Sequence, residues 1–147
     1  MTSILKSLKL LADATRIRIL LLLEREELTV AELQEILGLG QSTMSTHLAQ
    51  LKQAGLVEDR RTGKNILYRL KAQRDSNVFE QLMELLRLGA AEIPETEQDR
   101  QALELVLRKR KDKMRAYFDE LAGKFGRQYV PGRSWKGLAE MLLHLIP

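Results

Sequence analysis

Between Thr29 and Gly55 the stretch TVAELQEILGLGQSTMSTHLAQLKQAG carries two helical apolar periodicities, separated by Gly38-Leu39-Gly40 and closed by Gly55. No other feature restricts the fold as tightly. Two short amphipathic segments joined by so short a turn form a helix-turn-helix pair. Thr29 and Glu32 stand three apart at the start of the first segment, a capping box in which the hydroxyl serves a free amide and the carboxylate reaches back. Leu33, Ile36 and Leu37 line its inner face. Gly38 stops it, because only glycine enters the left-handed C-terminal conformation cheaply.

The second segment has an unusual composition. At roughly 100° per residue, Met44, Leu48 and Leu51 fall on one side. Ser42, Thr46, Ala49 and Gln53 lie opposite, with Ser45 and Gln50 beside them and Thr43 and His47 at the boundary. A solubilising face ordinarily uses Lys and Glu, yet no acid occurs between Glu35 and Glu58. Short hydroxyl and amide side chains on an acid-free face fit close approach by a negatively charged partner.

The flanks complete the pattern. Ile4, Leu5, Leu8, Leu11 and Ala12 predict a short opening helix. Asp13 is placed to cap a helix over 14–25, whose Leu20–Leu23 run is too apolar for a surface and belongs in the core. After Gly55, LVEDRRTGKNILYRL alternates: Ile66, Tyr68 and Leu70 share one face, Leu67 and Arg69 the other, and Thr62-Gly63 sits midway. That predicts a β-hairpin with Arg60, Arg61 and Lys64 around its tip. A helix follows over 78–88, Pro94 breaks the chain, and a long helical pattern runs over 95–122. Gly123, Gly126, Pro131 and Gly132 mark a loop, and 134–145 reads as a last amphipathic helix through Trp135, Leu138, Met141, Leu142 and Leu145.

Helix, tight turn, helix and basic hairpin make a winged helix-turn-helix: mainly α with a small β-hairpin wing, followed by additional C-terminal helices. The second helix of such a pair enters the major groove. There Ser, Thr and Gln meet base donors and acceptors, and Ala or a Thr methyl can touch a thymine methyl. Arg60, Arg61 and Lys64 on the wing can reach the backbone or the minor groove.

Charge and composition agree with double-stranded DNA as partner. The net charge is +4 over 147 residues. Residues 41–71 hold six Lys and Arg against two Asp and Glu, and 100–136 hold eleven against four, flanking an acidic block at 72–99. Such asymmetry suits a polyanion, although a solvated basic helix has the same look. With no cysteine, disulfides and thiolate metal sites are excluded. The two histidines, His47 and His144, stand too far apart in sequence to suggest a metal centre. No stretch is apolar enough to span a bilayer or to act as a signal peptide, so the reading is cytoplasmic.

The segments LADATRIRIL, LTVAELQEILGLGQSTMSTHLAQLKQAGLV and RRTGKNILYRL, in this order and spacing, resemble the ArsR/SmtB family of bacterial repressors over residues 3–90. The resemblance implies a homodimeric DNA binder, paired through the first helix and the helix after the wing. It places Gln41, Ser42, Thr43, Ser45, Thr46 and His47 in the recognition segment. Gln50 and the wing residues Arg60, Arg61 and Lys64 complete the expected DNA-binding set. The chain departs from the family in places. Gly40 stands where Ser often caps, and Thr46 replaces a frequent Arg. Metal-sensing members carry cysteines around ELTVAEL, where this chain has Thr29 and Ala31, and residues 78–89 hold neither Asp nor His. A regulator that does not sense metal is implied.

From residue 108 the tail RKRKDKMRAYFDELAGKFGRQYVPGRSWKGLAEMLLHLIP resembles the segment that joins an ArsR-type domain to an S-adenosylmethionine-dependent methyltransferase domain in fused regulators. Residues 117–125, YFDELAGKF, resemble the opening helix of class I methyltransferases. The expected division is therefore 1–92 for DNA binding and dimerisation, and 93–147 for a helical linker and the first cap segment of a missing or truncated methyltransferase-like domain. The Gly-rich D-x-G-x-G loop that cradles the cofactor is not found in these residues. The chain thus reads as a regulator and not an enzyme. It has no cofactor of its own, and the resemblance points to S-adenosylmethionine or S-adenosylhomocysteine as effector of a longer protein. The alternative is the targeting and dimerisation portion of such a methyltransferase. Within the tail, the basic run 108–111 reads as a solvated charge face, Tyr117, Phe118, Tyr129 and Trp135 as packing between tail helices, and His144 as a surface or dimer-contact residue.

Overall fold

A computed structural model describes residues 3–71 and 77–126. The chain divides into two compact units, Met1–Glu104 and Leu105–Pro147. The expected helix at 134–145 and the residues Tyr129, Pro131, Gly132, Trp135 and His144 lie outside the described residues.

The first unit is a winged helix. Helix α1 (Ile4–Leu11) starts on the Ser3 hydroxyl, which accepts from the Lys6 amide. It turns Ser7 and Leu11 inward, whereas Ile4, Leu5 and Leu8 remain 45%, 74% and 47% exposed. Helix α2 (Ala14–Arg25) is capped by Asp13, whose carboxylate accepts from the Arg16 amide at 3.1 Å. Ile19, Leu20, Leu22 and Leu23 are buried, so three of the four residues of the Leu20–Leu23 run enter the core, while Leu21 is half-buried.

Helix α3 (Val30–Leu37) opens with the capping box: Glu32 N–H donates to Thr29 Oγ1 at 3.1 Å, and Thr29 N–H to Glu32 Oε1 at 2.9 Å. Helix α4 (Gln41–Gln53) ends in a paired motif: the Leu56 amide donates to the Leu51 carbonyl and the Gly55 amide to that of Lys52, both at 3.0 Å. Gly55 takes φ +75°, the left-handed residue that such an ending needs.

The wing is larger than expected. Strands β2 (Val57–Thr62) and β3 (Asn65–Leu70) pair antiparallel from Val57↔Leu70 to Thr62↔Asn65, so Gly63 and Lys64 form a two-residue turn, with Gly63 at φ +60°. A short strand β1 (Leu28–Thr29) adds to the other edge of β3, giving the order β1-β3-β2. Two residues are too few to show a period of two, so β1 has no signature in the sequence. Leu28, Val57 and Leu67 are the described strand residues turned into the core.

Helix α5 (Asn77–Gly89) buries Phe79, Leu82, Met83 and Leu86 while Val78, Leu85 and Leu88 stay 49%, 59% and 69% exposed. A 3-10 turn (Ala90–Glu92) leads into α6 (Glu95–Gly126). The start of α6 is tied to α2: Arg18 Nε and Nη2 each donate to an Asp99 oxygen at 2.7 Å. The Arg18 and Asp99 side chains are only 15% and 5% exposed. The hydrogen bond to Asp99 outweighs burial and holds the Arg18 guanidinium above the ordinary arginine range.

One expectation fails in the tail. Gly123 and Gly126 are expected to mark a loop, but α6 runs through Gly123 and includes Gly126 as its last described residue. Glycine in a helix interior costs only ~1 kcal/mol against alanine, and Leu121, Ala122 and Lys124 beside it are good helix formers. Along this half of α6, Arg108, Lys109 and Lys111 are exposed, and Tyr117 meets Phe118 edge-on with centroids 6.4 Å apart.

Candidate nucleic-acid interface

Helix α4 is seated by Met44, Leu48 and Leu51, each 0% exposed. With one side buried so completely, rotation about its axis is fixed and the opposite side must face outward. Gln41, Ser42, Thr43, Ser45, Thr46, Ala49 and Gln50 are all exposed there. The structure thus brings six of the seven sequence-selected α4 residues onto one open surface. Gly40 precedes them with no side-chain cap bond, so the first amides of α4 lack a side-chain acceptor. Thr46 Oγ1 donates to the Ser42 carbonyl at 2.9 Å, which leaves the oxygen of that hydroxyl as an acceptor toward the outside.

His47, the seventh, is half-buried and engaged from behind. Arg16 Nε donates to its Nδ1 at 3.1 Å, and Arg16 Nη1 donates to the Leu10 carbonyl at 3.0 Å. Arg16 escaped the sequence reading. It lies 31 positions from His47, and nothing in local spacing signals such a pair.

The wing separates its three expected contacts into two kinds. Arg61 and Lys64 are exposed beside the Gly63 turn and, among the described residues, have no ion-pair partner. Arg60 lies in the body of β2 and is held: its Nε meets Glu27 Oε2 at 2.7 Å and its Nη1 meets Thr62 Oγ1 at 3.2 Å. Arg69 bridges Glu58 at 2.8 Å and Glu27 at 3.6 Å. In the body of the wing Arg60 and Arg69 are therefore matched by Glu27 and Glu58, whereas Arg61 and Lys64 beside the turn carry charge without an ion-pair partner among the described residues.

Recognition helix and wing are also joined directly. Lys52 Nζ lies 3.0 Å from Asp59 Oδ1, across the α4–β2 corner. The hydrogen bond to Asp59 raises the Lys52 ammonium above the usual lysine range. The Asp59 carboxylate thus has a cationic partner within the subunit. Among the described residues no group of three or more His, Cys, Asp or Glu side chains gathers in a metal-binding arrangement. No described helix is long and apolar enough to cross a membrane.

Known proteins share this arrangement. The pattern of the family described as "Bacterial regulatory protein, arsR family" matches residues 13–59, from the cap of α2 into β2. The transcriptional activator HlyU of Vibrio cholerae is 38% identical over 78 residues, covering 53% of this chain and 72% of HlyU. The chain belongs to the arsR family of bacterial regulatory proteins. A solved structure of reduced HlyU superposes on this arsR-family chain with TM-score 0.50 and 39% identity, covering 57% of it and 85% of HlyU. The arsenic resistance transcriptional regulator ArsR1 of Pseudomonas putida is 54% identical over 63 residues, 42% of this chain. The chain spans about half the length of the curated relatives it matches first, 49% in the case of ArsR1. The solution structure of the homodimeric winged helix-turn-helix DNA-binding domain of Mb0332 from Mycobacterium bovis matches with TM-score 0.50 and 32% identity, over 60% of this chain and 79% of that one.

Proposed function

We propose that this arsR-family chain is a sequence-specific DNA-binding transcriptional regulator, a repressor, that binds an inverted-repeat operator as a homodimer. The observation that carries the reading is the face of α4: seven neutral, small or amide-bearing residues exposed together, with no acid, on a helix whose back is buried. Placed in a major groove, these tips meet base edges while backbone amides and the wing tip meet phosphates. Two such helices in a dimer read half-sites one helical turn, about 34 Å, apart.

Two further features support the dimer. Apolar side chains stand open on α1 (Ile4, Leu5, Leu8) and on α5 (Val78, Leu85, Leu88), side chains that a partner subunit would cover. The Mb0332 domain is itself homodimeric. Absence of metal sensing is supported by Thr29 and Ala31 at positions where metal-sensing members carry cysteines, and by an α5 without Asp or His. The tail resemblance supports S-adenosylmethionine or S-adenosylhomocysteine as the effector of a longer chain; calorimetry on that chain giving no heat with either nucleoside removes it.

Selection of bound duplexes from a random pool at two salt concentrations tests the reading. An enriched palindrome is expected, with affinity falling steeply as salt rises. Thr46→Glu places a carboxylate on the exposed face and abolishes enrichment while leaving the melting temperature unchanged. No enriched palindrome, or enrichment untouched by that substitution, overturns the proposal.

A further inference from the structure

The Arg16 side chain hydrogen-bonds both α1 and the recognition helix from a position outside the expected interface. Its Nη1 satisfies the carbonyl of Leu10 in the last turn of α1, one of the carbonyls a helix end leaves without an intrahelical donor. Its Nε donates to His47 Nδ1. Arginine has donors only. Nδ1 must therefore offer its lone pair, and the single ring proton of the neutral imidazole then resides on Nε2. That nitrogen is on the far side of the ring from Arg16. His47 itself sits at the margin of the exposed α4 face, four residues after Thr43 and half-buried.

We propose that Arg16 is a positioning residue for duplex recognition: by occupying Nδ1 it selects the Nε2–H tautomer of His47 and directs that N–H to a phosphate oxygen beside the groove. The inference rests on the reading of α4 as the DNA-contacting helix. It adds a contact, a donor identity and a supporting residue. Which nitrogen of a histidine acts outward is set by the bond the other makes, and phosphates accept but never donate. An imidazole with its proton on Nδ1 would present a lone pair to the phosphate and repel it. Because the contact is to backbone, its loss weakens binding to all sequences alike and leaves the selected motif unchanged.

A plain stapling role, in which Arg16 only fastens α1 to α4, predicts something different. Removing Arg16 would then lower stability whatever stands at 47, and affinity would not depend on the pair. Affinities are measured on the duplex selected by the unaltered chain, at fixed salt and well below every variant's melting temperature. Arg16→Met and His47→Ala are each expected to weaken binding roughly tenfold, the factor that ~1.4 kcal/mol represents. The double variant is expected to weaken it no further than either alone. His47→Gln is expected to remain within about twofold, because its amide offers oxygen to Arg16 and N–H outward, both charge-neutral hydrogen-bonding roles. Additive losses in the double variant, or full affinity in His47→Ala, overturn the proposal.

Nitrogen-15 spectra of the imidazoles in the DNA-free protein give a separate readout, with His47 distinguished from His144 by His144→Gln. The proton is expected on Nε2 of His47, with Nδ1 moving toward the signal of an unbonded ring nitrogen in Arg16→Met. A proton on Nδ1 in the unaltered chain overturns the tautomer selection even if DNA binds. If the unaltered chain selects no duplex while the spectra show the Nε2 proton, the DNA reading has failed, and the outward contact fails with it.

Discussion

Arg60 on β2 meets Glu27, the residue before β1, across the central strand β3, Nε to Oε2 at 2.7 Å, although the two stand 33 residues apart. The pair separates wing residues that look alike in sequence. Arg61 and Lys64 have no ion-pair partner among the described residues, whereas the charge of Arg60 is matched within the subunit. Arg61→Ala and Lys64→Ala should each flatten the salt dependence of DNA affinity by about one unit in the log–log slope. Arg60→Ala should leave the slope within half that change. Its side chain and that of Glu27 are 44% and 30% exposed, so the pair is screened and its loss should lower stability by less than ~1 kcal/mol. Binding isotherms at four salt concentrations check all three.

The Arg18–Asp99 pair should behave in the opposite manner. Both side chains are nearly out of solvent, and each hydrogen bond is 2.7 Å. Arg18→Met leaves a buried carboxylate alone and should destabilise the first unit by about 3 kcal/mol. Adding Asp99→Leu should recover most of that loss, since the remaining penalty is the unpaired charge and not the missing attraction. Urea unfolding of the two single variants and the double variant provides the cycle. Equal losses in the single and double variants would show that the pair stabilises by attraction instead.

Dimerisation should depend on the open apolar residues of α1 and α5. Leu85 is 59% and Leu8 47% exposed, so a charge at either is tolerated by the isolated subunit. Leu85→Glu with Leu8→Glu should give a folded monomer by sedimentation, and DNA affinity should fall at least tenfold because one half-site contact is lost. A dimer of undiminished strength would place the interface elsewhere.

One titration has a defined sign. The carboxyl of Glu97 is lowered below the ordinary glutamate range, first by its hydrogen bond from Arg100 and then by that residue's charge. A depressed folded value means that the pair's contribution is complete above the unfolded glutamate value and disappears as pH falls through the lowered one. Carbon-13 titration should find the Glu97 midpoint below those of exposed, unpaired glutamates, and Arg100→Gln should return it to their range.

Much of the candidate site was legible because its information is local. The Thr29–Glu32 box spans three residues, the Gly55 ending spans six, and Met44, Leu48 and Leu51 recur within two turns of helix. Interactions of such short range dictate which segment is helical, where it stops and which side is apolar, and so which residues of α4 face out. The continuation of α6 through Gly123 was misread because glycine is a weak signal where its neighbours favour helix.

Sequence alone determined the elements, the acid-free face and the basic hairpin, since caps, turns and periodicities act between neighbours along the chain. Tertiary structure alone decided which charged and polar groups are already spoken for: Arg60 by Glu27, His47 by Arg16, Arg18 by Asp99, and β3 by the two residues of β1. The polar partners lie 31 to 81 residues apart, and no spacing rule connects them. Only packing α1, α2, α4, the start of α6 and the sheet together brings each donor within 3.1 Å of its acceptor.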